Sequence, residues 1–146
     1  MKYLLPLTLV LALVACGETE EASAAGTGEA PEAEWIHDDL DAALALAAET
    51  GKPVFVDMYA DWCGPCRMLA EDYFPREDYR EVLSRAVTVK INTDNNQELA
   101  SRYGIQSIPT LILLDSQGNE LDRITGVMGS PEDFLPIIEE FIAQGL

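Results

Sequence analysis

The chain has 146 residues, enough for one globular domain with a real hydrophobic core and too few for two. Twenty-six acidic against nine basic side chains, a formal net charge of −17, exclude nucleic-acid binding, which needs a concentrated lysine and arginine surface. Three cysteines are too few for a disulfide-stapled miniprotein, and they fall in two unlike settings: Cys16 alone after an apolar run, and Cys63 with Cys66.

Residues 1–15 combine one early cation, Lys2, with an apolar run from Leu4 to Ala15 that is too short to span a bilayer as a helix, so they read as a secretory signal. The ending Leu13-Val14-Ala15-Cys16 resembles a bacterial lipoprotein signal. That resemblance implies lipidation of Cys16, an extracytoplasmic or periplasmic location and a lipid anchor to a membrane; two acyl chains make such an anchor stable. An ordinary signal peptide with an incidental cysteine is the plainer alternative. Residues 16–34 are small, acidic and proline-containing, with nothing apolar to repay the entropy of ordering, and are expected to form an acidic flexible tether.

The folded domain is expected over 35–146. Leu40, Ala43, Leu44 and Ala47 recur at helical spacing, and Gly51 with Pro53 supplies a stop. Residues 54–59, VFVDMY, form a short apolar run with β-branched and aromatic members, the mark of a strand buried on both faces, which Asp57 interrupts. Residues 63–73 predict a helix with Gly64 and Pro65 in its first turn, where a proline does little harm. A short helical piece follows at 77–85, a strand at 86–91 and a helix at 95–103 ending at Gly104. Pro109 opens a strand at 110–114, the turn 115–119 leads to a polar strand at 120–125, and Ser130-Pro131-Glu132-Asp133 starts the last helix. Pro136 predicts a kink in that helix or a later start to its regular part. Helices alternating with strands and a final hairpin predict an α/β domain with a central mixed sheet flanked by helices.

The cysteine pair, WCGPC, admits three readings. Zinc needs about four ligands, or three and water, and one cysteine pair with His37 falls short. A structural staple across two residues removes little unfolded-chain entropy. Redox chemistry accounts best for a pair at a helix N-terminus, where unpaired amide hydrogens favour a thiolate at Cys63 and place Cys66 one turn behind it. Such chemistry needs the Cys63 sulfur held, accessible and partly ionised.

The segment VDMYADWCGPCRML resembles the active-site strand and helix of thioredoxins, with SIPTLILLD some forty residues downstream. GKPVFVDMYADWC is further similar to the periplasmic C-terminal domain of DsbD and its lipid-anchored relatives. The resemblance implies a thioredoxin-like fold and a thiol:disulfide oxidoreductase without bound cofactor or metal. It would reduce protein disulfides or relay electrons from a membrane or soluble thiol donor. Cys63 would be the nucleophile and Cys66 the resolving thiol, the two forming a redox disulfide. Asp57 would be a buried proton acceptor and Lys90 its partner; from the residues alone, Asp57 could be a wet strand-end aspartate and Lys90 a surface lysine. Trp62, Ile108, a cis Pro109 and Gly126 would line the substrate site, though a plain strand-end glycine is nearly as good a reading of Gly126. Two departures bear on direction: Gly64-Pro65 is the thioredoxin pair and not that of DsbD, and Tyr59 stands where thioredoxin often has tryptophan. A competing class is a thioredoxin-fold binding module, or a copper or thiol chaperone, without turnover.

Overall fold

The computed structural model describes residues 34–146; the signal segment 1–15, Cys16 and all of the tether but its last residue lie outside them. The described elements are β1 (Ile36–His37), α1 (Leu40–Thr50), β2 (Val54–Tyr59), α2 (Gly64–Met68) and a π-helical turn (Leu69–Tyr73). They continue through α3 (Glu77–Leu83), β3 (Val87–Asn92), α4 (Gln97–Arg102), β4 (Thr110–Leu114), β5 (Glu120–Thr125) and α5 (Pro131–Ala143). The five strands form one mixed sheet in the order β1-β3-β2-β4-β5. β3 runs parallel to both β1 and β2, whereas β2–β4 and β4–β5 are antiparallel. This is a thioredoxin-like α/β fold with helices on both faces.

The central strand β2 explains the layering. Its side chains alternate, so Val54, Val56 and Met58 meet Leu40, Ala43 and Ala47 of α1 with Ile112 and Leu114 of β4. Phe55 faces the other way, into a larger cluster with Leu69, Tyr73, Phe74, Tyr79, Leu111, Phe134 and Phe141. Both faces are dry, which is why β2 reads as a nearly unbroken apolar run. Asp57 occupies the Phe55 side.

Helix ends follow local chemistry. Asp39 caps α1 by accepting from the Ala42 amide at 2.9 Å, and Gly51, at φ 70°, closes it in the left-handed region. Ser130 and Asp133 form a reciprocal capping box at the start of α5. Tyr73 and Tyr79 donate to the carbonyls of Gly129 and Pro131 at 2.9 and 2.7 Å, tying the helical side to the start of α5 and the residue just before its cap.

Three features differ from the sequence-based expectation. β1 is an added edge strand of two residues, too short to carry a period. The helix expected over 63–73 is two pieces: after Met68 it widens, and the Phe74 amide donates to the Leu69 carbonyl, five residues back, at 2.9 Å. Pro136 does not delay α5, which is helical from Pro131 onward; the ring costs the helix one amide donor near its start.

Candidate active site

β2 delivers the chain to the cysteines. After Tyr59 the backbone turns, the Cys63 amide donating to the Ala60 carbonyl at 3.1 Å, and α2 begins. Cys63 is the N-cap, with its sulfur accepting from the Cys66 amide at 3.3 Å, and Pro65 in the first turn lacks only an amide hydrogen that would have had no helical partner. Cys63 and Cys66 are joined as a disulfide, S–S 2.09 Å.

Exposure corrects one expectation. Cys63 as a residue is only 4% exposed and Cys66 2%, packed with Ala60 and flanked by Tyr59 and Ile108. Only a narrow edge of the pair meets solvent. The exposed member of the motif is Trp62, at 71%. Its indole nitrogen donates to Asp94 Oδ2 at 2.9 Å; the Asp94 amide donates to Asn92 Oδ1 at 3.0 Å, and Asn92 Nδ2 donates to Asp61 Oδ2 at 3.2 Å. Residues 31 and 32 positions apart thereby hold the tryptophan across the mouth of the site.

The opposite wall is the loop into β4. The Ile108–Pro109 peptide is cis, and Thr110 Oγ1 donates to the Ser107 carbonyl at 2.8 Å. Gly126 extends the β4–β5 pairing by one rung, donating its amide to the Pro109 carbonyl at 2.8 Å. It does so at φ 84°, a conformation in which an L side chain is strained. Between Trp62 and Ile108 runs an open groove of about 410 Å³, floored by Thr93, Ala100 and Ile105.

Asp57 is fully buried. Register puts it opposite Lys90 on β3 and Leu111 on β4. The Lys90 ammonium contacts Asp57 Oδ2 at 2.5 Å, with a lysine side chain only 13% exposed, so it is not a surface residue. Asp57 Oδ1 has no hydrogen-bond partner. Burial pushes the Asp57 carboxyl above its ordinary range, opposed by the charge and hydrogen bond of Lys90. Tyr59 is also raised, chiefly by burial and then by the carboxylates of Asp38 and Asp61.

Of the residues singled out from sequence, Cys63, Cys66, Ile108 and Trp62 meet at one opening, Pro109 and Gly126 are hydrogen-bonded behind Ile108, and Asp57 and Lys90 are paired in the sheet. Two residues escaped that reading. Asp94 orients Trp62 and Trp35 lies over Lys90, each far away in the chain, and no local pattern marks either pairing.

A family model described as a thioredoxin-like domain matches residues 40–142. The chain belongs to the thioredoxin-like family. Among its relatives, a thioredoxin of Alicyclobacillus acidocaldarius is 50% identical over 87 residues, 59% of this chain and 79% of that protein. The thiol:disulfide interchange protein DsbD of Cronobacter sakazakii is 39% identical over 100 residues, 64% of this chain but 17% of that much longer protein. A solved thioredoxin from Thermus thermophilus superposes with a TM-score of 0.66 at 25% identity, covering 76% of this chain and 89% of that one. A thioredoxin-like domain with a closed Cys-x-x-Cys pair carries the machinery of thiol:disulfide oxidoreduction.

Proposed function

We propose that this thiol:disulfide oxidoreductase works as a reductase or electron relay for protein disulfides outside the cytoplasm, held at a membrane through Cys16 and the 16–34 tether. The observation that carries the chemistry is the Cys63–Cys66 disulfide set between an exposed tryptophan and a cis-proline loop, with a buried carboxylate in the strand that leads to it. Location rests on the sequence of residues 1–34. Direction rests on Gly64-Pro65 between the cysteines, the thioredoxin pair.

In the reduced protein the Cys63 thiolate attacks a client disulfide, R–S–S–R′. The Cys63–S–R bond forms, the client S–S bond breaks, and R′S⁻ leaves and takes a proton from water. Cys66 then gives its proton to the Asp57 carboxylate, and its sulfur attacks that of Cys63. The Cys63–Cys66 bond closes, RS⁻ leaves and the proton held by Asp57 follows it. The client has gained two electrons and two protons, one proton from water and one from Cys66; the pair has lost the two electrons and the Cys66 proton, and a thiol donor restores it. The partnerless Oδ1 and the raised carboxyl of Asp57 support its role as acceptor, since a buried acid tuned toward neutrality can both take and return a proton. Lys90 keeps that acid from being held permanently protonated. Trp62, Ile108, Pro109 and Gly126 form the walls against which an extended client segment would lie.

The test of direction is the equilibrium potential of the Cys63–Cys66 pair against glutathione. A value near that of thioredoxin, about −270 mV, supports reduction; a value near about −120 mV makes the protein an oxidant and overturns the reading.

A further inference from the structure

The Asp57–Lys90 pair is roofed by aromatic rings. The Lys90 ammonium lies 4.5 Å from the ring centroid of Trp35, 5.0 Å from that of Phe74 and 5.5 Å from that of Tyr59. Three separate elements deliver them: Trp35 immediately precedes β1, Tyr59 ends β2 and Phe74 follows the π-helical turn. Trp35 and Phe74 touch, centroids 5.2 Å apart, and each lies 6.1 Å from Phe55 beneath. A lysine would ordinarily keep its ammonium in water and bury only its stem. Here the head turns inward. Ring faces within about 6 Å supply the attraction that replaces its lost hydration, and they do so more strongly where water is scarce. Bulk alone would not do this, because an aliphatic side chain of similar volume has no quadrupole.

We propose that Trp35 is a positioning residue for the thiol–disulfide reaction: its ring, with that of Phe74, holds the Lys90 ammonium against Asp57 and so sets the proton acceptor that serves Cys66. This rests on the reading of Asp57 as that acceptor. The π-helical turn acquires a purpose, since Phe74 follows it directly and its ring lies over the lysine. Trp35 stands at the junction with the proposed tether, so the side chain that opens the expected domain is also part of the redox centre's support. The burial that raises the Asp57 carboxyl and the lysine that lowers it are both maintained by this roof. The titratable group whose ring meets the lysine is Tyr59 on β2, which the carboxylates of Asp38 and Asp61 in the loops after β1 and β2 also act on; Cys63 and Cys66 at the head of α2 pack beside Tyr59, and Tyr73 on the π-helical turn lies in the cluster that Trp35 packs against. β4 presents only Leu111. A substitution at position 35 alters none of these groups.

The experiment follows the resolving step in the full chain by stopped flow, with reduced protein and dithio-bis(nitrobenzoate). Attack by Cys63 releases one nitrobenzoate thiolate and leaves the other on Cys63; attack by Cys66 on that mixed disulfide releases the second. The rate of the second release is recorded against pH for the native chain, Asp57→Asn, Lys90→Met, Trp35→Leu, Trp35→Phe and Trp35→Leu/Lys90→Met. Leucine keeps the site apolar but removes the ring, so the ammonium is freed and Asp57 holds its proton to higher pH. The inflection should rise by about half to one pH unit in Trp35→Leu, in the same direction as Lys90→Met. Trp35→Phe should restore the native profile, and leucine at position 35 should add nothing in the Lys90→Met background. A Trp35→Leu profile that superposes on the native one while Lys90→Met shifts overturns the role of Trp35 and leaves that of Asp57 standing. So does a Trp35→Leu shift that persists undiminished without Lys90. An inflection that stays at the native pH in Asp57→Asn overturns the acceptor reading and the inference built on it.

Discussion

The two faces of β2 differ in what they bury. One presents Val54, Val56 and Met58 to α1 and β4 and is apolar throughout. The other presents Phe55, Asp57 and Tyr59, and within one repeat of the pleat it changes from an aromatic core to a buried ion pair. A buried pair with one carboxylate oxygen left without a partner is weak support for a fold, because the cost of removing two charges from water rivals their attraction. The contrast teaches that one strand does two jobs: its apolar face holds the domain together, while its other face gives up stability to keep a titratable group in the strand that leads to the cysteines.

Substitutions on each face should separate the two jobs. Cys63→Ser should bring turnover of a client disulfide down to the uncatalysed rate with the fold intact, checked by an insulin-reduction assay beside circular dichroism. Met58→Ala, on the apolar face, should cost about 2–5 kcal/mol in urea unfolding by leaving a cavity, with little change in the turnover of the protein that remains folded. Equal loss of turnover in Met58→Ala at full folding would erase the distinction between the faces.

The buried acid gives a third, smaller effect with a definite sign. Asp57 is raised in the folded state relative to the unfolded chain, so the folded protein holds a proton that the unfolded one has released. The associated stability is fully present below about pH 4, where the unfolded carboxyl titrates, and is lost as pH rises through the folded value. Asp57→Asn should therefore flatten a fall in stability across that window, read as the difference between urea midpoints of the two proteins at each pH. A difference that is constant with pH would mean that the carboxyl does not titrate differently on folding.

The smallest effect belongs to the rim. Asp94→Ala removes the acceptor that holds Trp62 and should raise KM for a protein client by about two- to five-fold, leaving kcat and the unfolding midpoint nearly unchanged. A fall in kcat at unchanged KM would place Asp94 in the chemistry and not at the rim.

Much of this architecture is written in short-range pattern. The unbroken apolar runs of β2 and β4 announce strands buried on two sides, the alternation of helices and strands announces the α/β class, and Gly64-Pro65 marks a helix start at the cysteines. What the sequence does not spell out depends on contacts between distant segments. β1 is two residues long and exists because β3 offers it an edge. The π-helical turn has no local signature; Tyr73 and Phe74 are drawn into the aromatic cluster, and the backbone widens to seat them. The inward turn of the half-buried Lys90 side chain follows from the rings around it, one of them 55 positions earlier in the chain, and no propensity of lysine foretells it. The modest exposure of Cys63 likewise reflects Ile108 and Tyr59 closing over the disulfide.

The central claim is that Cys63 attacks and Cys66 resolves. Intact-mass analysis of Cys66→Ser and Cys63→Ser, each incubated reduced with a disulfide-bonded client protein, tests it most directly. The account predicts that Cys66→Ser accumulates a covalent client adduct that dithiothreitol releases, while Cys63→Ser, whose remaining thiol is 2% exposed in the oxidised structure, accumulates little. Equal adduct with both variants, or adduct with Cys63→Ser alone, would contradict it.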